Sequence, residues 1–138
     1  MNSIDRFVGE YRFLSNFYPC DVRWRGRQYP SVEHAYQAAK TKDPVERMRI
    51  AAAPTPGLAK ALGRQVRLVE DWDRVKIRTM RKLLQRKFAD PVLMRKLIST
   101  RPHTLVEGNY WRDTFWGVCQ GSGMNWLGRL LMEIRDGK

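Results

Sequence analysis

At 138 residues the chain suits one domain, and a chain of that size buries roughly 70% of its unfolded surface without disulfide or metal staples. Apolar residues at 43% and charged residues at 29% exclude a disordered, collagen-like or membrane-embedded chain. Lys and Arg number 26 against 14 Asp and Glu; the resulting +12 speaks to phosphate-bearing partners and says nothing about fold.

The stretch from Met1 to Tyr11 carries Asp5, Arg6 and Glu10 and no apolar leader core, and nowhere do about 18 apolar residues run together. A soluble, cytoplasmic protein with no membrane partner is expected. Cys20 and Cys119 lack a CxxC or histidine neighbour, which predicts two reduced thiols and no zinc site. Val22 and Trp24 alternate with Asp21 and Arg23, and Arg25-Gly26 supplies a turn, so a hairpin is predicted up to Tyr29.

Ser31 caps a helix over about 32–41, with Val32, Ala35, Tyr36 and Ala39 as its packing stripe. Glu33, Gln37 and Lys40 fall at i, i+4 and i+7 on one face, either a surface polar row or a row that meets a ligand. Asp43-Pro44 and Thr55-Pro56 each start a further helix, towards Ala53 and Gly63. Asp71 or Asp73 starts a longer one to about Phe88, with Val75, Met80, Leu83, Leu84 and Phe88 apolar, and Asp90-Pro91 starts another. Between Arg74 and Arg101 stand ten Lys or Arg residues and one acid, Asp90, read as solvated helix faces or a phosphate-facing surface.

Thr104–Val106 and Phe115–Val118 read as short strands, separated by the loop Glu107–Thr114. Gly121-Ser122-Gly123 precedes a last helix from about Asn125 to Arg135 and could offer backbone N–H groups to a phosphate. Several helices with few, non-alternating strands predict α+β: a small, mostly helical single domain over residues 1–138.

Chemistry concentrates in two segments. Glu33 could act as general acid or base, and a partly desolvated Lys40 as nucleophile. In the loop, aromatic side chains suit a planar ligand, with Asp113 and Asn109 as hydrogen-bonding groups and Trp111 and Trp116 as stacking or core residues. His34 and His103 have no third ligand and HExxH is absent, so they are read as packing or surface histidines, and no metal is expected.

Phe13-Leu14-Ser15-Asn16-Phe17-Tyr18-Pro19, Tyr29-Pro30-Ser31-Val32-Glu33-His34-Ala35-Tyr36-Gln37-Ala38-Ala39-Lys40, Lys60-Ala61-Leu62-Gly63-Arg64 and Asp71-Trp72-Asp73 follow one another. With Leu105-Val106-Glu107-Gly108-Asn109, Trp116-Gly117 and Asn125-Trp126-Leu127-Gly128-Arg129, this series resembles the NADAR (YbiA-like) family over essentially the whole chain. The resemblance implies a cofactor-free N-glycosidase that cuts the bond between a phosphorylated ribose and a base or amine nitrogen. Its substrate would be ADP-ribosylated guanine, including ADP-ribosylated DNA or RNA, or a ribosylamino-pyrimidine phosphate of riboflavin biosynthesis; no obligate protein partner is implied. Carried over by position, it implies catalytic Glu33, Lys40 and Asp113 and substrate-binding Trp72 and Trp116, with Asn16 and Arg12 in or beside the opening motif. Arg112 departs from the pattern, which favours a small residue there, often Gly. The competing reading is a non-catalytic module that binds ADP-ribose or nucleic acid, which the +12 charge also suits.

Overall fold

In chain order, the computed structural model, which describes residues 2–138, holds β1 (Ser3–Ile4), a 3-10 helix (Gly9–Leu14), β2 (Val22–Trp24) and β3 (Arg27–Tyr29). Helices α1 (Val32–Ala39), α2 (Pro44–Ala51), α3 (Pro56–Gly63), α4 (Trp72–Lys87) and α5 (Pro91–Ile98) follow. Then come β4 (Thr104–Leu105), β5 (Gly108–Asn109), β6 (Val118–Cys119) and α6 (Trp126–Asp136). This is the mostly helical α+β arrangement the sequence predicts. The described chain divides into two units, one of Asn16–Lys87 and one of residues 2–15 with Phe88–Lys138.

In the Asn16–Lys87 unit, β2 and β3 pair antiparallel with Trp24 opposite Arg27. Arg25 and Gly26 turn the chain at φ of 50° and 78°, the left-handed pair that a two-residue hairpin needs. Asp43 and Thr55 accept hydrogen bonds from Val45 N–H (2.8 Å) and Leu58 N–H (3.1 Å), capping α2 and α3 where the sequence places them. Both helices and α4 pack around α1, which is buried along its whole length. Glu33 and Gln37 are therefore interior and Lys40, just past the end of α1, is half-buried, so the reading of the row as a solvated face is corrected.

In the other unit, β1 pairs parallel with β4, and β5 with β6; sequence periodicity misses β1, β5 and the 3-10 helix because two-residue strands carry no alternation. Phe115–Gly117 is not a strand. Asp113 Oδ1 accepts from Phe115 N–H at 3.2 Å and Trp116 N–H at 2.9 Å, a side-chain turn that competes with extended backbone. Strand pairing begins at Val118 instead. Loop carbonyls close the start of α6. The N–H groups of Met124, Asn125, Trp126 and Leu127 donate to the carbonyls of Thr114, Gly117, Phe115 and Trp116, so these four are satisfied within the protein. Arg135, near the end of α6, is buried and donates to Thr100 Oγ1 (3.2 Å) and the His103 carbonyl (2.6 Å).

Lys87 departs from the solvated reading of the basic stretch. It lies on the buried face of α4 with Met80, Leu83 and Leu84, is 1% exposed, and holds its Nζ 5.7 Å from the Tyr18 ring centre. Burial lowers its pKa to about 8, against a smaller opposing influence of Cys20. From about pH 8 to 10.5 the unfolded chain keeps a proton that the folded chain releases, so stability rises with pH across that window. Urea denaturation should show wild type gaining about 3 kcal/mol relative to Lys87→Met between pH 7 and pH 10.5. Parallel curves for the two proteins would refute this.

Candidate active site

Helix α1 begins at Ser31, whose Oγ accepts from His34 N–H at 3.1 Å and lies 2.7 Å from His34 Nδ1. His34 Nε2 faces the Ala53 carbonyl at 3.0 Å and so donates to it, leaving Nδ1 to accept from Ser31. His34 is thus a packing histidine that ties α1 to the end of α2, as expected from sequence.

This anchoring fixes the polar row. Glu33 is 8% and Gln37 3% exposed, and Gln37 Nε2 donates to Glu33 Oε2 at 2.6 Å, a short charge-assisted bond one helical turn long. Gln37 is held from behind by Gly63: a Cβ at that position would overlap Gln37 Oε1. Asn16 is also buried. Its carbonyl accepts from Glu33 N–H at 3.0 Å, satisfying an amide at the start of α1, while its Nδ2 makes a weak 3.6 Å contact with Met80 Sδ. Asn16 Oδ1 and Gln37 Oε1 are buried acceptors without a donor among the described residues.

Lys40 closes α1. Its carbonyl accepts from Val69 N–H at 2.7 Å, and its Nζ stands 5.5 Å from the Tyr36 ring centre. Tyr36 in turn meets Trp72 at 5.3 Å between ring centres, tilted 52°. Trp72 is buried, and Lys40, Tyr36 and Trp72 form a cation–aromatic–aromatic series. Burial lowers the Lys40 pKa; Glu33 opposes the shift, and Lys60, Arg64 and Lys76 add to it. The pattern is that of an amine whose neutral form is made accessible.

The remaining candidates lie in the other unit. Asp113 is half-buried, with Oδ1 committed to the Phe115 and Trp116 amides. Asn109 binds Asp113 at both ends of its amide: Nδ2 donates to the Asp113 carbonyl (2.9 Å) and Oδ1 accepts from Asp113 N–H (3.0 Å). Its amide is thus spent on positioning Asp113. Trp116 is half-buried and meets Phe115 edge-on at 4.9 Å, whereas Trp111 is 52% exposed and is not a core residue. Arg12 is exposed in the 3-10 helix. Arg112 has a left-handed φ of 68°, which costs a side chain with a Cβ roughly 1 kcal/mol and gives a physical reason for a small residue there. Sequence reading missed Tyr36 as more than packing and missed the cations Lys60, Arg64 and Lys76; only Lys60 and Arg64, one turn apart, offered a local signal. A cavity of about 200 Å³ between α2 and α3, lined by Glu46, Arg49, Ile50, Leu62, Gln65 and Val66, contains none of the candidates.

Residues 6–137 match the NADAR domain family. The chain is 37% identical over 131 residues to N-glycosidase YbiA of Escherichia coli, covering 92% of this chain and 81% of that protein. It is 39% identical over 133 residues to an N-glycosidase of Nostoc punctiforme, covering 91% and 85%. A riboflavin biosynthesis protein of Vibrio vulnificus is 35% identical over 128 residues, and the chain spans only 35% of its length. The NMR structure of Escherichia coli YbiA superposes with a TM-score of 0.86 at 34% identity, covering 98% of this chain and 82% of that one.

The Gln37–Gly63 contact yields a double-mutant test. Gly63→Ala should lower stability by about 1–3 kcal/mol through overpacking. In a Gln37→Ala background, which removes the overlapping amide and leaves only the Cβ at 2.9 Å, the same change should cost clearly less in chemical denaturation than it does with Gln37 present. Additive losses would show that the clash acts elsewhere.

Proposed function

The chain belongs to the NADAR family and is an N-glycosidase; from that premise we propose that it separates a phosphorylated ribose from a base or amine nitrogen using Glu33, Lys40 and Asp113. The observation that carries the assignment is the juxtaposition on α1 of a buried carboxylate and an amine whose pKa is lowered by burial and by three neighbouring cations.

Breaking a ribosyl C–N bond leaves positive charge at C1 of the sugar and negative charge on the departing nitrogen. Glu33, oriented by Gln37, supplies the negative charge that favours the cationic sugar. In the route favoured by Lys40, its neutral amine forms a bond to C1 as the bond to the leaving nitrogen breaks. The amine sheds a proton as it bonds to C1, and Asp113 relays that proton to the departing nitrogen. Ring opening converts the adduct to a Schiff base, and water then adds at C1, restoring the free amine and releasing the sugar. The family resemblance assigns Trp72 and Trp116 to the base. Asn16 and Arg12 take their substrate roles from the family resemblance, Arg12 towards the phosphate, and Asn109 holds Asp113.

The leaving group is either guanine, in ADP-ribosylated nucleic acid, or a ribosylamino-pyrimidine. No helix among the described residues is long and apolar enough to cross a membrane, and a cytoplasmic setting is part of this reading.

Mass spectrometry after incubation with an ADP-ribosyl-guanosine oligonucleotide and with a ribosylamino-pyrimidine phosphate will show which linkage is lost. Glu33→Gln and Lys40→Ala should each lower turnover by about a hundredfold or more while the circular dichroism spectrum is retained. Full activity in both would overturn the assignment. Borohydride should trap a sugar adduct on wild type and none on Lys40→Ala; an untrapped but active wild type selects direct attack by water.

The same route fixes a pH dependence. Activity needs neutral Lys40, so kcat/KM should rise with pH through a midpoint below the ordinary lysine value of 10.5. The charged groups acting on Lys40 are Glu33 on its own helix, Lys60 and Arg64 at the end of α3, and Lys76 on α4. Lys60→Gln removes a like charge and should move the midpoint upward; an unmoved profile counts against Lys40 as the titrating group.

A further inference from the structure

The Asn16–Lys87 unit carries a basic surface that the chemistry at α1 does not use. On α4, Arg78, Lys82 and Arg86 are spaced i, i+4 and i+8, and all three are exposed. They form one row spanning about 12 Å along the helix axis, with about 6 Å between neighbours. The row does not stop at the end of the helix. Arg86 Nη1 reaches the Arg23 carbonyl on β2 at 3.4 Å, and the hairpin continues with Arg23, Arg25 and Arg27.

Around Trp24 the cations crowd. Arg25 Cζ is 4.5 Å and Arg47 Cζ 5.1 Å from the same indole ring centre. Burial holds the Arg47 pKa below its ordinary value; Tyr29 opposes this, and Arg25 and Arg27 reinforce it. Among the described residues, none of Arg23, Arg25, Arg27, Arg47, Arg78, Lys82 or Arg86 is in an ion pair with a carboxylate. The only acid on α4 is Asp73, in its first turn, and the hairpin from Val22 to Tyr29 has none.

Like charges gathered without counter-charges raise the energy of the free protein, and an external polyanion relieves it. A compact anion would engage one end of this surface. An elongated row of cations at about 6 Å intervals, continued onto an arginine-rich hairpin, instead matches a chain of successive phosphates. We infer that Arg78, Lys82 and Arg86, continued by Arg23, Arg25 and Arg27, form a docking track for the phosphate backbone of a nucleic acid strand. Recognition along the track is by backbone charge and is independent of sequence.

The test measures binding alone, so it stands apart from any turnover. Fluorescence anisotropy with an unmodified single-stranded 12-nucleotide probe is recorded across a salt series for three proteins: wild type, Arg78→Gln/Lys82→Gln/Arg86→Gln, and a control of equal charge change, Arg6→Gln/Arg95→Gln/Lys138→Gln. The track variant should bind about tenfold more weakly or worse at moderate salt, and its log–log salt slope should fall by about 2, as expected for three lost phosphate contacts at roughly 0.7 each. The control should stay within about twofold of wild type. Arg25→Gln/Arg27→Gln leaves α4 intact and should weaken binding in the same direction, which guards against a helix that fails to fold. Equal losses in track and control variants would show diffuse attraction to net charge and overturn the track. So would absence of binding by wild type, or binding to phosphatidylserine vesicles in place of the oligonucleotide.

Discussion

The 2.6 Å bond from Gln37 to Glu33 is the constraint around which the Asn16–Lys87 unit is arranged. A carboxylate that is almost fully buried is costly unless donors face it, and Gln37 supplies one from the next turn of the same helix. For the amide to point that way, α3 must leave room behind it, and Gly63 does so by having no side chain. Asn16 completes the arrangement from the other side of the chain, its carbonyl closing the Glu33 amide. One eight-residue helix can therefore be interior on every side and still carry an ionisable row.

Local chemistry was readable and non-local pairing was not. Ser31, Asp43, Thr55 and Asp90 all cap helices in the structure because a cap is decided within three residues of itself. The hairpin turn at Arg25-Gly26 was legible for the same reason. By contrast, β1 and β4 are paired across about a hundred positions, and two-residue strands leave no periodic trace. Phe115–Gly117 misled because aromatic and glycine composition suits a strand, whereas the Asp113 side chain two and three residues earlier had already claimed the amides a strand would use. The burial of α1 was hidden by its composition: glutamate, glutamine and lysine at one-turn spacing ordinarily mark a solvated stripe, and only the packing of three other helices around it reverses that reading.

The family resemblance and the physical reading illuminate different residues. Resemblance singled out Asp113 and Trp116; the structure adds that Asn109 grips the Asp113 backbone at both ends. It also gives a physical sense to the one departure. Arg112 sits in left-handed backbone, where a glycine is free of strain, so this chain tolerates a cost in the loop that a smaller residue avoids. Tyr36, a packing residue by periodicity, becomes the ring that separates Lys40 from Trp72.

The surplus of positive charge enters the chemistry twice, and the two uses oppose each other. Lys60, Arg64 and Lys76 push protons off Lys40, which a nucleophilic amine needs. The same cations would attract the phosphate of a phosphorylated ribose, and a bound phosphate would bring negative charge that draws the proton back. A site relying on a neutral lysine must therefore keep part of its depression in a form that substrate cannot cancel. Burial is that part: it is the largest influence on Lys40, it comes from the protein's own packing against α1, and closing the site over a ligand only deepens it. On the proposed route, placing the amine at the end of a wholly buried helix, with the cations as a secondary influence, is thus what would let Lys40 stay reactive beside an anionic substrate.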